Sequence, residues 1–559
     1  MSTSTGPGSV DLAPGTSPIP IAVRAEPRGR WSPGARVAAS VAAEALVAVL
    51  AAAWLLLLTR TIVVDPTDRI GQVSGLAGIG LRFSLTAMVV LAVVLVSHRV
   101  RSGRWSPLVT RLACAAMAGL ATGFVASGVL VALDGTTWPL NGDGGDAGQL
   151  QRWVVDLQAG RSMPASYPPL AVHLMAWWGD VTGTGPAGGV RAAQVIGTAL
   201  FGPATYLAWR SLLTPPWALA LGLTAALVLV DPYKPYAPMV LAALVPVLLK
   251  FFSVLRRAAS ASWRQNVVAG LLAGGVLGLL FLTYSGWFVW SAVGAVAAVL
   301  VVFPWRSGPL RGLVLLAVTG VTFAVVSAGH LIGLLSASGS VKDQYFYFDV
   351  LVEPAYIAMW RGDAPGDTGP WPPPGELGGV GLFSVLLVIG LGVAIWLAGR
   401  RTVVIGLALF VAGAWILRFW FAAQMYETQS VQLYPRTTQE ILYCSLLLVG
   451  FAVMAGAGQL RALVVTLGTR PDDRGTTAAA PASGRGRAGL GQLGVFAAFS
   501  LLALFVGSAT ADRYMPRNDD SVGRLAYIAQ MVRQPDGTCP EHSGPDGCAA
   551  VVADLAPPS

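Results

Sequence analysis

Charge is what this sequence has least of. Only 12% of its 559 residues are Asp, Glu, Lys or Arg, where a soluble domain carries roughly 25%. So few charges cannot cover a water-exposed surface of this size, which excludes a soluble globular fold. Histidine and cysteine are scarce as well, at four each. His98, His330 and His542 form no cluster, and no His/Cys/carboxylate set has metal-ligand spacing, so no metal centre is expected. There is no P-loop, dinucleotide fingerprint or nucleophile elbow, which leaves ATP-driven transport unsupported. The net charge is +9, yet no soluble stretch interleaves basic residues with aromatics, so no nucleic-acid partner is expected. No cleavable signal peptide is expected either.

What is present is apolar sequence, 54% of the chain. It comes in blocks of about 18–22 residues, long enough to cross ~30 Å of hydrocarbon. The fold class expected is an all-α integral membrane protein with the lipid bilayer as its surroundings. About thirteen spans fall near 37–58, 78–97, 112–133, 190–209, 217–231, 237–254, 267–283, 286–303, 312–336, 378–398, 402–420, 438–457 and 489–508. With the N-terminus cytoplasmic, the connections holding Arg99, Arg256, Arg257, Arg306, Arg400, Arg401 and Arg461 are cytoplasmic too, as the positive-inside rule requires. An odd number of spans places the C-terminus outside a plasma membrane. No internal repeat suggests inverted transporter halves.

The domain reading follows. Residues 1–36 form a disordered cytoplasmic N-terminus, and 37–457 the main transmembrane region. Residues 458–488 form a cytoplasmic low-complexity linker, 489–508 the last span, and 509–559 a short external tail. Cys114 and Cys444 sit in apolar segments as packing residues. Cys539 and Cys548 in the tail suggest a small disulfide-closed loop in an oxidising compartment.

Polar groups concentrate at the expected outer ends of spans. The stretch 134–189 carries Asp143 and Asp146 among glycines that let the backbone turn tightly. Either carboxylate has the chemistry of a general base, and an Asp-Gly run is also an ordinary exposed turn. AGQLQRWVVDL, after Asp146, reads as an amphipathic helix along the membrane surface. It is followed by Tyr167-Pro168-Pro169, with His173 beyond as a second-rank contact. In DPYKPYAP, Lys234 can meet a phosphate as a point charge. Tyr233 and Tyr236 either stack on a sugar ring or belong to the interfacial aromatic belt. Thr283-Tyr284-Ser285-Gly286 forms a nearby turn, and Trp287 and Trp290 after it read as belt residues. The loop 337–376, opening with Lys342 and Asp343, is long enough for a lid or a structural plug. Arg418 and Arg436 lie near the outer ends of spans, either to bind phosphate or to snorkel to headgroups.

Asp146 with its amphipathic helix, Tyr167-Pro168-Pro169, Pro235-Tyr236-Ala237, Thr283-Tyr284 and Arg436 follow one another in an order that resembles the GT-C superfamily of membrane glycosyltransferases. Within it they look most like the actinobacterial galactan 5-O-arabinofuranosyltransferase family, over roughly residues 40–460. The resemblance implies a GT-C-like bundle and a polyprenyl-phosphate-linked sugar as donor, decaprenylphosphoryl-arabinofuranose or a relative. It implies a cell-envelope glycan such as galactan as acceptor, with Asp146 as catalytic base and Arg436 at the donor phosphate. Tyr167, Tyr236 and Tyr284 join Lys234 on the donor side. No cofactor is required, although the Asp143/Asp146 pair leaves room for a divalent cation. The chain departs from the family pattern at Leu170, where Gly usually follows the prolines, and at Lys234, where an acidic residue is expected. Its outer C-terminal portion is also shorter. A lipid-linked glycan transporter or flippase, and a GT-C enzyme for another sugar, are the alternatives.

Overall fold

The structure, a computed structural model, describes residues 33–99, 106–337, 382–429, 434–468, 484–519, 521–544 and 547–549. Lys342, Asp343 and nearly all of the 337–376 loop lie outside them. The chain divides into two units, Met1–Ala42 and Ala43–Ser559. Of the first, only the opening turns of helix α1 are described.

The described residues form helices and their connections, with no strand and a single isolated bridge between Val532 and Ala549. In chain order the principal helices are α1 (Pro33–Thr59), α2 (Arg69–Arg99), α3 (Ser106–Ala132), α4 (Gly145–Gln158), α5 (Pro169–Thr182) and α6 (Gly185–Arg210). A broken helical run, Pro215–Leu229, precedes α7 (Tyr236–Leu255), α8 (Trp263–Thr283), α9 (Gly286–Val302) and α10 (Pro309–Ala337). Then come α11 (Leu382–Ala398), α12 (Thr402–Ala423), α13 (Thr437–Gly468), α14 (Gly484–Arg513) and α15 (Arg524–Met531). Among the described residues nine helices are long and apolar enough to cross a membrane: α1, α2, α3, α7, α8, α10, α12, α13 and α14. The protein is therefore a multi-pass membrane protein. The other four expected spans are also helical. Three are short (Pro215–Leu229, α9 and α11), and α6 is the fourth. Helices α13 and α14 run into both ends of the segment expected as a linker, to Gly468 and from Gly484.

Packing between apolar helices depends on close approach, because lipid tails are as apolar as the helices themselves. The sequence supplies small residues where this happens. Gly270, Gly274 and Gly278 recur every fourth residue on α8 and face α10. A Cβ at these positions would lie 2.8 Å from Val318, 2.5 Å from the Thr319 carbonyl and 2.7 Å from Val326. Helix α3, rich in Ala and Gly, is buried along nearly its whole length and packs against α2, α6 and α14. The run Pro215–Leu229 is broken by a π-helical turn at Ala218–Leu223, where Gly222 lies against the Trp209 ring.

Charge buried inside spans exceeds the sequence expectation. Glu44 on α1 accepts from the Arg111 guanidinium on α3 at 2.9 Å, from Arg210 on α6 at 2.8 Å and from the Tyr206 hydroxyl at 3.0 Å. This cluster ties three helices at one end of the bundle. At that same end Arg256, after α7, donates to the Arg400 carbonyl at 2.9 Å. Arg418 and Glu440 are fully buried in α12 and α13. The Arg418 guanidinium donates to the Thr438 hydroxyl at 2.9 Å and lies over the Tyr434 ring. It therefore does not snorkel to the headgroups.

Candidate functional site

The opposite end of the bundle gathers the carboxylate loop, the start of α7 and the end of α8. Helix α4 begins here because Gly144 is extended and Gly145 takes a left-handed φ of 52°, a conformation glycine adopts without a Cβ penalty. A Cβ at Gly145 would also stand 2.7 Å from the Asn141 amide nitrogen and 3.1 Å from the Tyr233 hydroxyl. Ala147, Leu150, Gln151 and Val154 are buried along one face of α4, the i, i+3, i+4, i+7 spacing of an amphipathic helix. Asp146 sits in the first turn, where the helix dipole favours a negative charge. Pro169 starts α5 at its first position.

Asp146 Oδ2 lies 3.0 Å from Lys234 Nζ. The Asp146 side chain is 59% exposed and that of Lys234 18%, so one partner faces the open side and the other is recessed. The ammonium lies 5.6 Å from the centre of the Tyr167 ring and 6.0 Å from that of Tyr284, within cation–π range. The Tyr167 and Tyr236 hydroxyls share a hydrogen bond of 2.5 Å, and the Tyr236 and Tyr284 rings meet edge-on. Trp153 of α4 stacks at an angle on Tyr167, with ring centres 4.3 Å apart. Burial works against the Lys234 charge. The Tyr167 side chain, the Asp146 carboxylate and Tyr284 outweigh it and hold the ammonium above the usual lysine value. Asp143 is half-buried, and burial raises its carboxyl above the usual range, with Arg152 pulling the other way.

Five sequence candidates, Asp146, Lys234, Tyr167, Tyr236 and Tyr284, thus form one cluster. Tyr236 is buried within it and is not a belt residue. Trp287 and Trp290 are not belt residues either. Both are buried, Trp287 donating to the Ala237 carbonyl at 2.6 Å and Trp290 packing on Phe421. His173 is exposed on α5, and Arg436 is half-buried in the short turn Tyr434–Arg436 ahead of α13. Cys539 and Cys548 are joined in a disulfide, and Cys114 and Cys444 are buried and free. Among the described residues no group of three or more His, Cys, Asp or Glu side chains is placed to hold a metal ion. A cavity of about 630 Å³ lies elsewhere, between the ends of α1, α3 and α6, and contains Arg60, Asp134 and Arg191. It shares no residue with the tyrosine-ringed pair.

Sequence reading missed the polar frame around the cluster. The Tyr233 hydroxyl accepts from the Ala147 amide at 3.1 Å and from Asn141 at 3.3 Å. Gln194 on α6 accepts from the Leu140 amide at 2.8 Å and donates to the Tyr233 carbonyl at 3.2 Å. Gln151 donates to the Gly142 carbonyl. His330 on α10, set aside as isolated, bonds the Ser285 hydroxyl and the Ala165 carbonyl beside the Tyr284 turn. The only sequence signal for these was a polar residue inside an apolar helix, which Gln194 and His330 both are.

No protein-family model and no curated protein matches the chain. Among solved structures, the crystal structure of ArnT from Cupriavidus metallidurans bound to undecaprenyl phosphate is similar at a TM-score of 0.41 and 14% identity, over 73% of this chain and 77% of that one.

Proposed function

We propose that the chain is a membrane glycosyltransferase of the GT-C type. It transfers a sugar from a polyprenyl-phosphate donor to a cell-envelope glycan by a displacement that inverts the anomeric centre. On the sequence resemblance the sugar is arabinofuranose and the acceptor galactan-like. The observation that carries the reading is the convergence of Asp146 with Lys234 inside three tyrosines. These residues come from four separate connections, and all but Lys234, where the chain departs from the family pattern, are positions on which the resemblance rests.

The chemistry follows from the residue types. The acceptor hydroxyl oxygen attacks the anomeric carbon while the bond from that carbon to the phosphate oxygen breaks. Asp146, with Asp143 as second carboxylate, takes the hydroxyl proton. Polyprenyl phosphate leaves, and its charge is met by Lys234 and, on the resemblance, by Arg436. The half-buried Tyr167 ring offers a flat apolar face to a sugar, while buried Tyr236 and Tyr284 help keep Lys234 away from water. No cofactor takes part in this scheme. The basic residues around Arg256 and Arg400 lie at the other end of the bundle, so the positive-inside rule puts that end in the cytoplasm and the Asp146 end outside. The disulfide in the tail agrees with an external, oxidising side.

One observation favours a transporter or flippase instead: Glu44, Arg418 and Glu440 are buried within spans, where ionisable residues often mark a pathway. Against it, Glu44 is met by two arginines and a tyrosine and Arg418 by threonine hydroxyls, as helix-joining contacts are. Purified protein in lipid, given synthetic polyprenyl-phosphoryl arabinofuranose and galactan oligosaccharides, should extend the glycan. Movement of the lipid across the bilayer with no new glycosidic bond would favour the transporter. Transfer from a different lipid-linked sugar would keep the reaction class and change the sugar.

A further inference from the structure

The C-terminal segment after α14 folds back onto the loop that carries the two carboxylates. The Leu525 carbonyl accepts from the Asn141 amide at 2.7 Å, and the Ala529 carbonyl from the Thr136 hydroxyl at 2.9 Å. Gln530 donates to the Ala132 and Asp134 carbonyls at 3.0 and 2.7 Å. Ala526, Ala529 and Gln530 are buried. A second contact comes from just past the last span, where the Tyr514 hydroxyl donates to Asp231 Oδ1 at 2.7 Å. The same carboxylate oxygen accepts from the Tyr233 amide at 3.0 Å.

Tyr233 joins this frame to the site. Its hydroxyl accepts from the Ala147 amide, in the first turn of α4. The opening N–H groups of a helix have no intrahelical acceptor, so the phenol oxygen acts here as a distant cap. Ala147 follows Asp146 in the chain, and Lys234 follows Tyr233. One tyrosine therefore fixes the backbone on both sides of the Asp146–Lys234 ion pair. Asn141, which also donates to that phenol, has a φ of 73°, uncommon for a residue with a Cβ. The neighbouring contacts hold it there.

We propose that Tyr233 is a positioning residue for the Asp146–Lys234 pair, and that Tyr514 and α15, in the C-terminal tail, hold it in register. The tail is then part of the site's framework. The proposal rests on the glycosyltransferase reading for the reaction the pair serves, but its structural half can be measured without that reaction.

The test uses the full-length protein in lipid, as wild type, Tyr233→Phe, Tyr514→Phe and the double variant. Hydrogen exchange is followed over 141–158, which contains the Ala147 amide, and sugar transfer is measured in parallel. Both substitutions keep the ring and remove one hydroxyl. The proposal predicts faster exchange at Ala147 in Tyr233→Phe, and also in Tyr514→Phe, whose hydroxyl bonds Asp231 and not α4. It predicts kcat lower by about tenfold or more, since sub-ångström misplacement of reacting groups is costly, with the donor KM within about twofold. The double variant should be little worse than Tyr233→Phe, because both act on one path. Wild-type exchange in both single variants overturns the proposal, whether or not sugar is transferred. Faster exchange with unchanged kcat overturns the catalytic half of it. If wild type transfers no lipid-linked sugar, the glycosyltransferase reading fails, and exchange alone then upholds or overturns the structural link.

Discussion

Lys234 Nζ and Asp146 Oδ2 stand 3.0 Å apart, although 88 residues separate them in the chain. Lys234 is the recessed partner, ringed by Tyr167 and Tyr284, and Asp146 faces outward. On the proposed reading, the donor phosphate meets the ammonium, and the acceptor hydroxyl, approaching from the open side, meets the carboxylate.

Lys234→Met keeps much of the side chain's length and removes its charge. Transfer should fall by about a hundredfold, the usual effect of removing one group that stabilises a departing charge. Lys234→Arg should recover only part of it, because a planar fork does not fit a site built for a point charge. Steady-state kinetics with the lipid-linked donor checks both.

Asp143 gives a pH-dependent prediction. Burial raises its folded carboxyl above the ordinary value of 3.8. The stability linked to its protonated form is complete below that value and is lost as pH rises through the raised one. At neutral pH the ionised group therefore costs stability. Asp143→Asn should melt at the same temperature as wild type or slightly higher at pH 7, with the gap closing below about pH 4. Thermal unfolding in detergent from pH 3 to 8 reads this. A variant that melts lower at pH 7 and higher at pH 3 has the opposite sign.

Glu44 is buried between Arg111 and Arg210. Glu44→Ala leaves two guanidinium groups facing each other without their anion, which should cost about 3–5 kcal/mol. Urea or thermal unfolding should show the loss. Lys234→Met, in the more open cluster at the other end, should lose much less stability.

The fold was readable because the spans are long, apolar and separated by arginine-bearing connections, as α7 is from α8 by Arg256 and Arg257. The cluster was readable in part because Asp146, Tyr167, Lys234, Tyr236 and Tyr284 sit beside Gly, Pro or Ser breaks that mark helix ends. Hydropathy did not separate residues that face lipid from residues that face other helices, since both are apolar. Trp287 and Trp290 were misplaced on the surface for that reason. Nor could periodicity reveal Tyr233 as a cap for α4 or bring Tyr514 to Asp231, because both contacts join segments far apart in the chain. The folding of the tail onto 132–141 pairs the Thr136 and Gln530 side chains with backbone carbonyls, which every residue has, so no side-chain pattern names the partner.

The central claim is that Asp146 is the base of a lipid-dependent glycosyl transfer. The direct measurement compares wild type with Asp146→Asn, both shown to be folded, on polyprenyl-phosphoryl arabinofuranose and galactan oligosaccharides. The account predicts transfer by wild type and a loss of at least about a hundredfold in the variant, with donor binding retained. Equal transfer by both proteins would contradict it.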